Sequence, residues 1–250
     1  MNNSLVSIVT PAFNCKNTIE ETYLSIKNQT FKSWEWIVVD DHSTDGTFDL
    51  VKQLAKNDKR IIVLQTEKNS GAAVTRNVGI EKASGRFIAF LDSDDMWKED
   101  KLEKQIAFMK NNDYQFTFSN YELFYENGNK KQYRIKKDCI KYKDLLKTNS
   151  IGCLTAVYDA DSLGKIYMPL DCEKREDHGA WLDILKKGVN AYRLDEYLAI
   201  YRVGNSSVSS NKRKMLKYQY RLYRKHEGFN VIKSTWYLML CVLNKIFKKY

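Results

Sequence analysis

Hydrophobic and polar positions in the first 111 residues switch repeatedly between two periods. Short apolar runs at 5–10, 34–40, 60–65 and 86–91 read as buried strands. Segments 18–28, 47–57, 72–83 and 98–110 carry apolar residues at helical spacing, with Leu102, Ile106 and Met109 on one face of the last. Alternating strand and helix units predict an α/β fold, with a Rossmann-like, mostly parallel central sheet flanked by helices. After Asn112 the pattern changes. Segments 115–125 and 131–135 predict strands joined through Glu126-Asn127-Gly128-Asn129, a hairpin-type turn. Residues 142–147 read as a helix, 153–158 as a strand, 176–187 as a helix and 197–203 as a strand. The Ser/Asn/Gly-rich 204–211 reads as a loop. No linker divides this body. The expected organisation is one domain over 1–210, with a first half at 1–111 and a second at 112–210, then a helical tail at 211–250.

The tail predicts two amphipathic helices. In the first, Lys214, Lys217, Arg221 and Arg224 form a basic stripe beside Met215, Tyr218 and Leu222. In the second, Trp236, Leu240, Leu243 and Phe247 share a face, and Lys245, Lys248 and Lys249 follow. Such helices lie in an anionic membrane surface or pack on the body with a solvated basic side.

Charge sharpens that picture. The formal net charge is +10 over 250 residues, yet 11 of the 41 Lys/Arg and only one of the 31 Asp/Glu fall in 211–250. The body is therefore balanced, which argues against a nucleic-acid-binding core and for a local anionic partner of the tail. Five scattered cysteines without CxxC spacing read as reduced thiols in a cytoplasmic protein. No signal-peptide pattern is visible, and no run approaches the ~20 apolar residues of a spanning helix. A cytoplasmic protein, peripheral on the inner face of the cell membrane, is the expected location.

The candidate chemistry sits where strands end. The run Phe87-Ile88-Ala89-Phe90-Leu91 stops abruptly at Asp92-Ser93-Asp94-Asp95. A helix cap needs one acid. Three at a strand's carboxyl end imply a cation, and hard oxygen ligands suit Mg2+ or Mn2+. Three other loops follow strand signals. Thr10-Pro11-Ala12-Phe13-Asn14 places a proline where a ladder is expected to stop, leaving backbone groups for a flat ligand such as a nucleobase. Asp41, at the next strand end, is placed to accept from a base N–H or a ribose hydroxyl. Gly71 with Ala72 and Ala73 permits close backbone approach at a helix start, a favourable place for an anion. Arg76, one turn further, is within reach of a phosphate or of the acids.

These four segments together resemble the signature set of family 2 glycosyltransferases with the GT-A fold. They are Ser7-Ile8-Val9-Thr10-Pro11-Ala12-Phe13-Asn14, Val38-Val39-Asp40-Asp41, Gly71 to Arg76-Asn77-Val78-Gly79, and Phe90-Leu91-Asp92-Ser93-Asp94-Asp95. The resemblance covers 5–111 closely and continues loosely through Glu176-Asp177-His178 and Tyr201-Arg202-Val203. It implies a nucleotide-diphospho-sugar donor, a divalent metal and an inverting mechanism. Thr10, Pro11, Ala12, Asn14 and Asp41 would then hold base and ribose. Gly71 and Arg76 would lie near the diphosphate, Asp92 and Ser93 would meet the nucleotide, and Asp94 with Asp92 would ligate Mn2+ or Mg2+. Asp177 resembles the family's base, with Glu176 its rival. His178 is expected beside the base or toward the acceptor. Some relatives carry a histidine after the Tyr-Arg-Val strand; Gly204-Asn205-Ser206-Ser207 stands here.

The expected reaction moves a hexose or N-acetylhexosamine from a UDP-sugar to a cell-surface glycan, one linked to a lipid. A sugar-nucleotidyltransferase would want a glycine-rich basic loop after the first strand, and 10–14 contains no glycine. A non-catalytic nucleotide-sugar or glycan-binding module is the other competitor, against which the intact Asp92, Asp94 and Asp177 argue.

Overall fold

The computed structural model describes residues 4–125, 127–204 and 212–247. Glu126 of the hairpin turn, the 204–211 loop beyond Gly204, and Lys248 and Lys249 lie outside the described residues.

The first half alternates as its hydrophobic pattern dictates: β1 (Val6–Ala12), α1 (Ile19–Lys27), β2 (Trp34–Asp40), α2 (Thr47–Asn57), β3 (Ile61–Gln65), α3 (Ala72–Lys82) and β4 (Phe87–Phe90). These strands pair in parallel in the order β3-β2-β1-β4. The chain order reverses beside β1, so a crevice opens beyond the carboxyl ends of β1 and β4. Alternate strand residues feed cores on opposite faces of the sheet. Ile37 and Val39 join one, with Ile80 and Trp181; Trp36 and Val38 join the other, with Tyr23 and Leu102.

The first strand runs further than expected. It pairs with β2 through Pro11↔Val39 and Ala12↔Asp40. Pro11 is tolerated because β4 has already left the ladder at Val9↔Phe90.

The second half supplies β5 (Met96–Trp97), α4 (Lys101–Asn112), β6 (Phe116–Tyr125), β7 (Lys130–Tyr133), β8 (Cys139–Ile140), α5 (Tyr142–Leu145), β9 (Val157–Asp159), α6 (Ala160–Leu163), α7 (Glu176–Lys186) and β10 (Ala191–Val203). Here the sheet becomes mixed. β9 lies between β4 and β6, antiparallel to both, while β6 and β10 run parallel. The strand expected at 153–158 begins instead as a 3-10 turn, Cys153–Thr155. β10 starts well before the expected 197 because a register shift between Leu194 and Tyr197 carries it past the polar Asp195-Glu196.

The tail forms α8 (Lys212–Arg221), continued by a π-helical turn (Leu222–His226), and α9 (Val231–Ile246). Its inner side packs on the body. Leu222 and Tyr223 are fully buried in the core that holds Trp181. The Tyr142 hydroxyl meets the Glu227 carboxylate, and Arg221 pairs with Glu173 at 3.1 Å. The outer side of α9 is different: Ile232, Trp236, Met239, Leu243 and Ile246 are exposed. Among the described residues no helix is long and apolar enough to cross a membrane.

Candidate active site

A cleft of about 650 Å³ opens at the carboxyl ends of the central strands. Arg76, Asp92, Asp94, Asp95, Glu176 and Asp177 are among its lining residues. Two sets of carboxylates thus meet there, one from the loop after β4 and one from the first turn of α7.

Arg76 joins the two sets. Its guanidinium donates to Asp92 Oδ1 at 2.6 Å and lies 3.5 Å from Glu176 Oε1. Burial opposes its charge, but the neighbouring Asp92 and other anions outweigh that and hold the guanidinium firmly protonated. α3 can bring Arg76 this close because Gly79 lies against the sheet. A Cβ there would stand 2.6 Å from Val9 Cγ1.

The loop after β4 is braced from several directions. The Ser93 carbonyl accepts from the Thr18 and Thr22 hydroxyls at 2.9 and 3.1 Å. The Arg202 backbone N–H donates to Asp95 Oδ1 at 2.9 Å, and Arg202 Nε donates to the Asp94 carbonyl at 3.0 Å. Asp95 Oδ2 is buried without a partner. Burial, then the charges of Asp94 and Asp92, push the Asp95 carboxyl well above the ordinary carboxylate range. Asp94 is exposed along the cleft, yet loss of water against the cleft wall and the Asp92 charge raise it as well. Such an excess of oxygen donors, one of them orphaned, fits a divalent cation.

Across the cleft, Asp177 accepts from the Asn149 side-chain amide at 3.1 Å and from the His178 backbone N–H at 2.7 Å. Burial raises the Glu176 carboxyl, against the opposing pull of Arg76. His178 is not among the residues that line the cleft. It is fully buried, with Nε2 at 2.9 Å from the Leu145 carbonyl and Nδ1 at 3.3 Å from the Gln219 amide, and burial depresses it to about 4. The imidazole is neutral: Nε2–H donates to Leu145, and Nδ1 accepts from Gln219.

The residues expected around a base and ribose are not among those that line this cleft. Asn14 accepts from the Thr44 backbone N–H at 2.9 Å and donates its own to Ser43 Oγ at 2.9 Å, so it ties the first loop to the second. Asp41 accepts from the Ser70 and Gly71 backbone N–H groups at 2.8 Å each. Its carboxylate thereby holds the loop that leads into α3, where Gly71 adopts φ +86°. Pro11 and Ala12 lie within β1, and Ala12 is buried. The Thr10 side chain is fully buried, its hydroxyl accepting from the Trp36 indole N–H at 2.8 Å, so Thr10 has only its backbone to offer a ligand. Inward-pointing alternation puts the side chain under the sheet rather than in the crevice.

The sequence pattern places Asp95 and Arg202 only within larger motifs, without a role of their own, and gives no sign that Asn149 or Met215 belongs to the site. Asp95 is visible in the acidic run. Met215, from α8, lines the cleft, so the tail supplies part of its wall. Asn149 carries no motif; only the fold brings it to Asp177.

With this geometry in view, comparison with known proteins is specific. The family model described as Glycosyl transferase family 2 matches residues 7–160. The chain is 45% identical, over 98% of its length and 97% of the relative's, to a putative teichuronic acid biosynthesis glycosyltransferase, TuaG, of Bacillus subtilis. It is 42% identical, over 88% of its length and 85% of the relative's, to the Escherichia coli UDP-Glc:alpha-D-GlcNAc-diphosphoundecaprenol beta-1,3-glucosyltransferase WfgD. Among solved structures, S. aureus TarS 1-349 in complex with UDP-GlcNAc superposes with a TM-score of 0.73 at 22% identity, covering 97% of this chain and 72% of that one. The mannosyltransferase PcManGT from Pyrobaculum calidifontis, in complex with GDP-Man and Mn2+, gives 0.67 at 16% identity, covering 95% and 73%.

Proposed function

The chain belongs to glycosyl transferase family 2, and from that premise we propose an inverting transfer of a hexose or N-acetylhexosamine from a UDP-sugar to a lipid-linked cell-surface glycan. The observation that carries this reading is the meeting of two carboxylate sets in one cleft, the β4 loop and the start of α7, with Arg76 between them. The glucosyltransferase from Escherichia coli, named for UDP-Glc and a diphosphoundecaprenol acceptor, supports the donor and the acceptor class. The teichuronic acid name of the Bacillus relative supports a cell-surface product.

Asp177 is the better base of the α7 pair. Its partners are neutral donors, an amide and a backbone N–H. Glu176 is already engaged by the Arg76 cation, 3.5 Å from its Oε1, whereas among the described residues no charged group pairs with Asp177. Asp177 takes the proton of the acceptor hydroxyl as that oxygen bonds to the anomeric carbon. The bond from that carbon to the diphosphate breaks on the opposite face, and the electron pair leaves with the nucleotide. Asp92 and Asp94 are the residues to hold Mn2+ or Mg2+, a reading that the Mn2+ of the mannosyltransferase complex supports. A cation held there supplies positive charge against the charge growing on the departing diphosphate. Asn14, Asp41 and Gly71 shape the nucleotide side by fixing loops, and Pro11 and Ala12 offer backbone.

The exposed face of α9 and the excess of basic residues in 211–250 support residence on an anionic membrane surface, the inner face of the cell membrane, where a lipid-linked acceptor is found.

The test is calorimetric titration with UDP and Mn2+, alongside UDP release from UDP-glucose and UDP-N-acetylglucosamine. Asp177→Asn should keep UDP affinity and lose turnover. Asp94→Ala should lose the metal dependence of UDP binding. UDP binding that ignores both Mn2+ and Asp94→Ala would overturn the assignment.

A further inference from the structure

We propose that Asn149 is a positioning residue for Asp177, and that the two C-terminal helices hold Asn149 in place by clamping the backbone just before it. The inference rests on the reading of Asp177 as the base.

α5 is a single turn, so the carbonyls at its end keep acceptor capacity that a longer helix would use. Side chains from elsewhere take three successive ones. The Leu145 carbonyl receives His178 Nε2 at 2.9 Å, the Leu146 carbonyl the Tyr223 hydroxyl at 2.5 Å, and the Lys147 carbonyl Asn244 Nδ2 at 3.3 Å. Tyr223 belongs to the π-helical turn after α8, and Asn244 to α9. His178 is itself braced from α8 by Gln219, which is buried. Each of these three clasps on 145–147 therefore depends on the tail, directly or through one neighbour.

Two residues past the clamp, Asn149 Nδ2 donates to Asp177 Oδ2 at 3.1 Å. The other carboxylate oxygen, Oδ1, is held by the His178 N–H. Asn149 Oδ1 is buried without a partner. Turning the amide over would set its oxygen against the carboxylate, so the Asp177 charge fixes which end faces it. The carboxylate is thus held on both oxygens, once by the helix that carries it and once by a segment under tail control. A displacement of the order of ~1 Å at a reacting group costs up to about a hundredfold in rate.

The experiment uses the full chain and three readouts: turnover of UDP-glucose or UDP-N-acetylglucosamine, UDP affinity with Mn2+, and melting temperature. Asn149→Ala should lower kcat by roughly ten- to a hundredfold. Donor KM and UDP affinity should be unchanged. Tyr223→Phe keeps the ring against Phe229 and Tyr237 but removes the clasp on Leu146. It should lower kcat in the native background and have no further effect in the Asn149→Ala background, because the two act in series. Asn244→Leu, whose site is only part-buried, repeats the test should Tyr223→Phe fail to fold. An equal fractional loss in both backgrounds, or a kcat loss matched by lost UDP affinity, would overturn the clamp. Asp177→Asn, measured alongside, separates the two ideas. Full turnover there removes the base itself, whereas an inactive Asp177→Asn with an unaffected Asn149→Ala removes only the clamp.

Discussion

Arg76 and Asp92 form an ion pair inside the cleft, Nη2 to Oδ1 at 2.6 Å, with the arginine side chain 9% exposed and the aspartate 31%. The same guanidinium faces Glu176, so one buried cation serves two walls. Arg76→Met should leave both carboxylates facing each other without it. The expected loss is about 2–4 kcal/mol, toward the lower end because Asp92 keeps contact with water. Thermal denaturation reads this directly. Arg76→Lys should not restore the wild-type value, since an ammonium cannot span two carboxylates as a planar fork does.

Gly79 fixes where Arg76 stands. The missing Cβ would meet Val9 Cγ1 at 2.6 Å and Val39 Cγ2 at 3.4 Å. Gly79→Ala should therefore overpack the contact between α3 and the sheet and cost about 1–3 kcal/mol. Val9→Ala in the same chain removes the colliding methyl. The double variant should be more stable than the sum of the single effects predicts, and denaturant titration of the four proteins gives the coupling.

The contrast between these two residues and Thr10 shows what the sequence makes legible. The strands β1 to β4 and the helices between them follow from uninterrupted apolar runs, so the loops at their carboxyl ends can be located from the chain alone. Asp92, Asp94 and Arg76 fall into the cleft for that reason. Thr10 belongs to the same motif, but the alternation along β1 puts its side chain on the face of Ile8, under the sheet and toward Trp36. In the second half, pairing is between distant short strands and carries weak periodicity. β9 is three residues long, and β10 crosses an acidic pair through a register shift. Asn149 and Arg202 act through long-range contacts, at sequence separations of 28 and 107 residues, that no local pattern encodes.

A buried lysine outside the cleft gives a pH-dependent prediction. Lys101 is fully buried, donates to Gln105 Oε1 and lies 4.7 Å from the centre of the Trp97 ring. Burial lowers it from 10.5 to about 7. Between those values the unfolded chain binds the proton and the folded chain releases it, so stability rises with pH across that window. Lys101→Met should flatten this slope and raise stability at pH 7 by about 1–3 kcal/mol, after the unpaired Gln105 acceptor is allowed for. Melts at pH 7 and pH 9 compare the two chains. A variant less stable than wild type at pH 7 would mean that the contact with Gln105 outweighs the burial of the ammonium.

The outer face of α9 gives the proposed membrane contact a direct test. Ile232, Trp236, Met239, Leu243 and Ile246 recur at intervals of three and four, with exposures from 37% to 82%, while Ser234 and Cys241 on the inner side are buried. One helix thus presents apolar side chains both to the body and away from it. Water gains nothing from the outer set, whereas the headgroup boundary of a bilayer accommodates it. The basic excess of 211–250 adds attraction to anionic lipid. In flotation experiments the protein should rise with vesicles containing phosphatidylglycerol and stay behind with phosphatidylcholine alone. Raised salt should weaken binding without abolishing it, because the apolar face is unscreened. Trp236→Ser with Ile246→Ser should release the protein while moving the melting temperature little, since neither side chain supports the core. Flotation unchanged by that pair would place the lipid contact elsewhere, and release by salt alone would reduce it to charge.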